Sequence, residues 1–442
     1  MNFEVFIQKA MTKGLSAVEI YHTASEETMI SLFNGAVDKA EIKNSNVYSV
    51  RGIYKGKMAY VTFENEAEDS DNLIAKLIEN AESLTTDEEF EIFAGSKEYP
   101  KWETVDGGFS QATMTDKIKL IKDVEHIASN MDKRVTFLPY CGYSEEKVST
   151  RIVNSYGLDI AKNYQYGVLV LQVIAKEEKD TQSGFEIVVT LNYADLDPQK
   201  VAKKAVEKAL SKLNASPVES KTYPIIIENE TMCDLLQGFS SMFSGEAAIK
   251  KLTPLIGKEG EKIMGECVSI VDDPFLKDAI NRQPFDDEGV VCYKKMVVEK
   301  GVFKTMLHNL KTAKYFKTTS TGNGFKAGTA GAISVAGVNL YVVPGNMSKD
   351  EMIANTEEGL LITDMTGLNA GLNPISGDFS LQSSGYLIKD GKIVRPINLV
   401  VVSGNFLKMM NQIETLGSDL YVSYKGVGAP SIKFKGLPVS GK

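Results

Sequence analysis

At 442 residues, with 43% hydrophobic and 24% charged positions, the chain has a globular composition and is too long for one ordinary core, so two or three domains are expected. Its 49 Lys and Arg against 58 Asp and Glu leave a formal charge of −9, which argues against a nucleic-acid partner, because phosphate contacts need a basic face. No apolar run approaches the roughly 20 residues of a membrane-spanning helix. Met1-Asn2-Phe3-Glu4-Val5 lacks the basic start and apolar run of a signal peptide, and Cys141, Cys233, Cys267 and Cys292 have neither zinc-ribbon nor disulfide spacing, so the cytoplasm is the expected compartment.

Phe3, Val5, Phe6, Ala10 and Met11 recur at helical spacing, and Gly14 closes that helix. Strands are predicted over 18–21, 29–33, 47–54 and 58–63, with Asn34-Gly35 and Lys55-Gly56 as turns. A helix over 71–84 places Leu73, Ile74, Leu77, Ile78 and Ala81 on one side. The acidic, then Pro- and Gly-punctuated stretch 85–108 reads as a linker; Trp102 within it is read as a docking aromatic in preference to a binding platform. A helix over 114–131 opens a second set, with strands at 134–140, 148–154, 158–175 and 185–191 and a helix at 197–213. Both segments run helix, strands, helix. The fold class is therefore α+β, with duplicated N-terminal helix-plus-antiparallel-sheet units at 1–90 and 110–215. After the boundary at 216–224, residues 222–442 are expected to form a β-rich, barrel-like C-terminal domain. It opens on the buried strand Ile225-Ile226-Ile227 and a helix over 230–243, and few helices follow, at 310–316, 349–355 and 405–413.

The densest stretch of that domain is 286–323. Asp286, Asp287, Glu288 and Gly289 form an acidic turn, and Val290, Val291, Tyr293, Met296, Val297 and Val298 read as a strand. Lys300-Gly301 reverses the chain into Val302, Phe303, Met306 and Leu307, with Gly301 supplying the positive φ of a tight turn. Asn309 is placed to cap a helix through Phe316, before the small-residue loop 318–324. The three carboxylates could serve as a general acid/base pair or a divalent-ion site, but a solvated turn capping the hairpin is preferred, with one of them contacting a partner chain.

That order of acidic turn, hairpin, His308-Asn309, short Lys-rich helix and Ser320-Thr321-Gly322-Asn323 resembles the C-terminal domain of the TldD/PmbA family, the "modulator of DNA gyrase" or TldD/TldE peptidase proteins. Val343-Pro344-Gly345, Gly359-Leu360-Leu361-Ile362-Thr363, Gly377-Asp378-Phe379-Ser380, Gly385-Tyr386, Asp390-Gly391-Lys392-Ile393 and Gly428-Ala429-Pro430-Ser431 follow in the family's order. The last of these, and the lack of a metal motif, are similar to the TldE/PmbA branch. The gyrase-related name gains no physical support from an acidic chain.

The resemblance implies a His-Glu-x-x-x-His helix at the start of the third domain of catalytic members, where two imidazoles bind zinc and the glutamate takes a proton from water. Counting back from Gly260-Glu261-Lys262 sets that motif over Leu236, Gln237, Gly238, Phe239, Ser240 and Ser241. At these degenerate positions Leu236 offers no lone pair, Gln237 does not titrate, and Ser241 is a poor zinc ligand. The family's third ligand is a cysteine near the C-terminus, whereas the last one here is Cys292. No catalytic residue and no metal ligand are therefore expected of this chain, and zinc is expected in a TldD-like partner.

The other reactive side chains are sparse. His22, His126 and His308 form no motif. His308 has a functional reading, a hydrogen bond to peptide, and a preferred structural one, a strand-end imidazole bonded to nearby backbone. Cys233 lies near a helix start, which would lower its pKa, yet no histidine is close in sequence to activate it. The loop 318–324 matches a phosphate cradle only in composition and is read as structural or as facing a subunit cleft.

The resemblance thus implies a TldE/PmbA-like subunit of a cytosolic metallopeptidase system acting on unfolded or small peptides, including precursors of modified peptides. Such a subunit helps form the peptide channel with a TldD-like catalytic chain, or pairs as a homodimer, and touches neither nucleic acid nor membrane. Peptide contacts are expected at His308, Asn309 and a cleft strand carrying Phe379, Ser380, Ser383, Ser384, Gly385 and Tyr386, by strand addition. The alternatives are a homodimeric peptidase with a non-standard site and a non-enzymatic regulatory interaction protein.

Overall fold

The computed structural model describes residues 1–64, 68–85, 91–102, 106–277 and 279–442. Parts of the expected linker, 86–90 and 103–105, lie outside the described residues.

Six strands make one antiparallel sheet in the order β3-β2-β1-β4-β5-β6, where β1 is Ala17–Phe33, β2 Ala36–Tyr54, β3 Lys57–Phe63, β4 Val135–Asn154, β5 Asp159–Glu177 and β6 Asp180–Thr190. Where the sequence pattern breaks β1 and β4 into two pieces each, the structure runs through. The polar middle of β1 lacks apolar alternation, but it has a ladder on both sides, with Thr23 opposite Val47 in β2 and Thr150 in β4. Turns follow the expected chemistry: Asn34-Gly35 and Lys55-Gly56 both adopt paired positive φ, at 50° and 78° and at 50° and 80°.

β1 and β4 meet at the centre of the sheet, with Ile20 opposite Val153, so the two helix-plus-sheet units share one continuous sheet. Helices α1 (Phe3–Thr12) and α2 (Ser70–Ser83) bury Phe6, Ala10, Leu73 and Leu77 against Ile20, Tyr48 and Val50. Helices α3 (Met114–Met131) and α4 (Pro198–Leu210) do the same on the other half, against Leu169, Leu171 and Val173. A Thr113/Asp116 capping box starts α3, and Asp197 caps α4 just before Pro198.

The C-terminal domain closes as a β-barrel. β7 (Lys221–Ile227) lies between the strands Glu358–Thr366 and Ile432–Ser440; beyond the latter come Lys392–Asn405 and Asp378–Lys389, which pairs back onto Glu358–Thr366. Helix α5 (Asn229–Phe239) buries Leu235, Leu236 and Phe239 in this core, with Phe239 stacked on Phe406 at 4.7 Å. The helical stretch expected over 230–243 tightens to a 3₁₀ turn at Ser240–Phe243, and the one expected over 405–413 shrinks to Phe406–Met409.

A smaller sheet carries the hairpin Lys295–Glu299 and Val302–Phe303, turned by Lys300 and Gly301 at φ 47° and 80°. Its first strand is shorter than expected. Val290 is tied instead to the acidic turn, donating to Asp286 Oδ1 at 2.9 Å and accepting from the Asp286 N–H at 2.9 Å. Leu307 leaves the second strand to donate to Phe243 O.

Candidate functional site

The acidic turn is not solvated. Asp286, Asp287 and Glu288 are 0%, 7% and 4% exposed, and they lie between the N-terminal sheet and the C-terminal domain. Asp286 accepts the N–H groups of Glu288, Val290 and Gly324 at 2.9–3.0 Å. Asp287 accepts from Tyr21 Oη of β1 at 3.0 Å, Lys162 Nζ of β5 at 3.2 Å and the Lys326 N–H at 2.9 Å. Glu288 accepts the Leu310 N–H at 2.7 Å and stands 3.8 Å from Arg51 of β2, which itself donates to Glu19 at 2.7 Å. Lys326 reaches back to Ser49 Oγ at 2.9 Å. The turn expected to be solvated thus finds its partners within the chain, because the sheet offers cations where the turn offers anions.

Burial sets the electrostatics. It pushes the Asp286 carboxyl well above its usual range, with the neighbouring Glu288 charge adding to the effect. Burial also lifts Glu288 to about 7, against the opposing pull of Arg51, and lowers Lys326 to about 8, with Arg51 adding to that shift. Asp286 has both oxygens filled by backbone donors, as a turn-organising carboxylate does. Glu288 also lines a cavity of about 170 Å³ with Arg51, Tyr60 and Asn309.

The loop 318–324 is structural. Asn323 donates to Asp272 at 2.8 Å and accepts from Lys295 at 3.0 Å, and Asp272 holds the N–H groups of Val338 and Asn339. His308 is buried: its imidazole meets Thr312 Oγ1 at 3.1 Å, its carbonyl accepts from Ser320 and Thr321, and burial lowers its pKa. Asn309 caps the helix Leu310–Phe316 with its side chain on the Thr312 N–H. Both residues direct their polar groups inward.

On α5, Leu236 is fully buried in the barrel core, Gln237 is half-buried, and Ser241 is exposed in the following 3₁₀ turn. A Cβ at Gly238 would stand 2.1 Å from a Leu372 methyl. These residues do not converge on an ion; among the described residues no group of three or more His, Cys, Asp or Glu is arranged to hold one. The helix start also fails to activate Cys233: burial pushes its thiol up to about 12, and Sγ donates to Tyr421 O at 3.3 Å. The pull of the helix dipole on the thiolate is outweighed here by desolvation.

The strand Asp378–Lys389 is interior to the barrel wall, hydrogen-bonded on both edges. Phe379 packs toward Phe239 at 6.3 Å, Ser380 is exposed beside Ser403, and Ser383 turns its hydroxyl onto Leu381 O. Gly385 lets the backbone of Leu361 approach, since a Cβ there would lie 1.9 Å from Leu361 O, and Ser384 is half-buried. Tyr386 alone of the six reaches a large cleft on the barrel's outer side.

That cleft, about 750 Å³, separates β6 and α4 from the barrel. Most of its charges are paired. Lys208 bridges Glu186 and Glu230 at 2.8 Å each, Lys212 meets Asp364 at 2.8 Å, Lys349 bonds Glu228, and Lys425 lies 3.5 Å from Asp234. Burial alone would lower the Lys208 ammonium, but Glu230 and Glu186 outweigh it and raise its pKa. Between these pairs stand Phe185, Ile187, Ile393, Tyr386, Tyr421 and Tyr424. β6 is the last strand of its sheet, so its outer edge has no strand partner among the described residues. No local sign of this cleft is present in the sequence, because its walls come from six separated segments; a half-exposed Phe185 on an edge strand is the one available hint.

Family models described as PmbA/TldA metallopeptidase domain 1, central domain and C-terminal domain match residues 18–85, 108–213 and 220–441. The chain belongs to the PmbA/TldA metallopeptidase family. It is 30% identical over 250 residues to a Metalloprotease PmbA homolog of Buchnera aphidicola, a match covering 56% of this chain and about half, 53%, of that relative's length. The crystal structure of a "putative modulator of a DNA gyrase" from Thermotoga maritima is 31% identical with a TM-score of 0.91, covering 99% of each chain. TldE from Thermococcus kodakarensis, at 22% identity and 99% of each chain, shares the fold with a TM-score of 0.90. The PmbA/TldA boundaries at 108–213 and 220–441 also bracket the cleft, whose two walls come from the central and C-terminal regions.

Proposed function

We propose that this PmbA/TldA chain is the TldE/PmbA-like subunit of a cytosolic TldD/TldE-type system acting on unfolded or small peptides, including precursors of modified peptides, and that it forms part of the peptide channel while a TldD-like chain supplies zinc. The observation that carries this reading is the state of α5: Leu236 is sealed in apolar core, Gln237 presents an amide, and Ser241 faces solvent. A zinc site needs several lone pairs converging within about 2.3 Å of one point, and these residues do not fit it.

The peptide is placed at β6 rather than at 378–389, whose edges are already paired. An extended chain adding to the β6 edge gains main-chain hydrogen bonds independent of its sequence, and the aromatic and ion-paired walls accommodate varied side chains. Folded proteins present few free backbone groups and are excluded. Tyr386 serves as a contact; His308 and Asn309 hold the adjoining fold.

The test is the purified chain alone. Elemental analysis is expected to find well under one zinc per chain, and an unfolded peptide is expected to remain uncleaved until a TldD-like chain is added. Stoichiometric zinc with cleavage by the isolated chain would defeat the assignment.

A further inference from the structure

The cavity of about 170 Å³ beside the acidic turn has a buried floor, made by Arg51, Met58, Glu288 and Asn309, and an exposed rim that includes Tyr60 and Lys314. Glu288 and Asn309 are pressed together over Gly324, where a Cβ would stand 2.6 Å from Glu288 Oε2 and 3.1 Å from Asn309 Cβ. Three of the floor side chains keep polar atoms that the fold does not use. Glu288 spends Oε2 on the Leu310 N–H, while Oε1 makes no hydrogen bond among the described residues; Arg51 Nη1 stands 3.8 Å from it, beyond hydrogen-bond range. Arg51 spends Nε on Glu19, and its Nη2 has no partner. Asn309 spends Oδ1 on the Thr312 N–H, and among the described residues its Nδ2 meets no acceptor. Buried polar atoms of native folds are nearly all hydrogen-bonded, so a group of unused ones around a cavity points to a ligand.

We infer that this cavity binds one free α-amino acid with an apolar side chain, its carboxylate on Arg51 and Asn309 and its ammonium on Glu288. The signs of the floor decide the class. A lone anion drawn to Arg51 would also meet the Glu288 carboxylate, and a lone cation drawn to Glu288 would meet the guanidinium, because the two groups stand 3.8 Å apart. An α-amino acid carries opposite charges on one carbon, so each faces its complement and both hydrogen bonds are charge-assisted. The size agrees. About 170 Å³ falls below the roughly 300–1,000 Å³ of pockets for drug-sized ligands, which leaves room for one residue and not for a peptide. Met58, Leu310 and Ile333 supply the apolar wall for an aliphatic side chain. The inference goes beyond the peptide-channel reading and stands without it, since the cavity shares no lining residue with the cleft beside β6.

Calorimetric titration of the full chain with L-leucine tests it at pH 8, where Glu288, lifted to about 7, is largely ionised. Saturable one-to-one binding is expected, with Kd of about 1 mM or tighter. Isoamylamine, which is leucine without its carboxylate, and isocaproate, which is leucine without its ammonium, are each expected to bind at least about tenfold more weakly. Glu288→Gln keeps an oxygen for the Leu310 N–H but loses the charge, so it is expected to weaken leucine at least about tenfold while isocaproate stays within about threefold of wild type, a split that a purely structural role would not give. Ile333→Trp, in the half-buried wall, fills the cavity with the charged floor intact and is expected to abolish leucine binding. Thermal unfolding checks that both variants are folded, and I333W alone decides should E288Q fail to fold. No saturable binding of leucine, analogues that bind as tightly as leucine, or leucine binding unchanged in folded E288Q or I333W would each overturn the assignment.

Discussion

Replacing Arg51 by methionine removes the cation at the junction while keeping its apolar stem. Arg51 is 5% exposed, 2.7 Å from Glu19 and 3.8 Å from Glu288, and Glu19 is 1% exposed, so neither carboxylate can turn to water. At an effective dielectric near 20 a unit pair about 4 Å apart is worth about 4 kcal/mol, and removing one partner of a buried pair typically costs about 3–5 kcal/mol. R51M is therefore expected to lose about 3–5 kcal/mol at pH 8. The loss is pH dependent. Glu288 in the folded chain is raised from 4.5 to about 7, chiefly by burial, and losing Arg51 raises it further. An acid whose folded pKa exceeds its unfolded value contributes most below the unfolded value, and that contribution is lost as pH rises through the folded pKa. The R51M deficit should therefore be smaller at pH 5, where Glu288 is protonated in the fold, by about 1 kcal/mol or more. Urea unfolding followed by Trp102, whose indole N–H donates to Asn163 O of β5 at 2.8 Å, reports on the sheet that carries Arg51. A variant within about 0.5 kcal/mol of wild type at pH 8, or a deficit equal at both pH values, would refute the reasoning.

Two further outcomes follow from burial. Iodoacetamide at pH 8 should alkylate the exposed Cys267 of the folded chain but leave Cys233 and Cys141, both pushed up to about 12 by burial, and Cys292, raised further by the same cause. Mass spectrometry showing Cys233 modified as fast as Cys267 would mean that the N-terminal half of α5 opens. Phe185→Ala strips a half-exposed ring from the cleft edge, and its lost contact of about 1–2 kcal/mol predicts roughly 5- to 30-fold weaker binding of an unfolded peptide by fluorescence anisotropy. Unchanged affinity would remove β6 from the peptide path.

What the sequence made legible were features closed within a few residues. The helix expected over 114–131 is found at Met114–Met131, where the structure closes its start with the Thr113/Asp116 box, and Asn309 caps its helix as expected, because donor and acceptor lie three positions apart. Barrel closure has no such local mark: Ile432–Ser440 pairs with Lys221–Ile227 some two hundred positions away, and only the β-rich, turn-punctuated pattern hinted at it. The shortened helix at 406–409 and the 3₁₀ ending of α5 reflect tertiary packing overriding an amphipathic pattern.

The burial of the acidic turn is illegible in the sequence for a reason that strand alternation itself explains. In β1, Val18 and Ile20 face the helices, so Glu19 and Tyr21 fall on the other face, and in β2 Arg51 stands directly opposite Glu19. An alternating antiparallel strand ordinarily predicts that its polar side meets water. Here that side meets Asp286, Asp287 and Glu288, and the partners are far away in sequence, with Tyr21 and Asp287 266 positions apart. Such a face is exacting, because a one-residue slip of β2 on β1 would carry Arg51 to the apolar helix side and leave Glu19 and Glu288 buried without a cation. Apolar contacts on the helix side would tolerate repacking, whereas the charged side accepts one register, so the junction that holds the two halves of the molecule together also fixes how the strands beneath it pair.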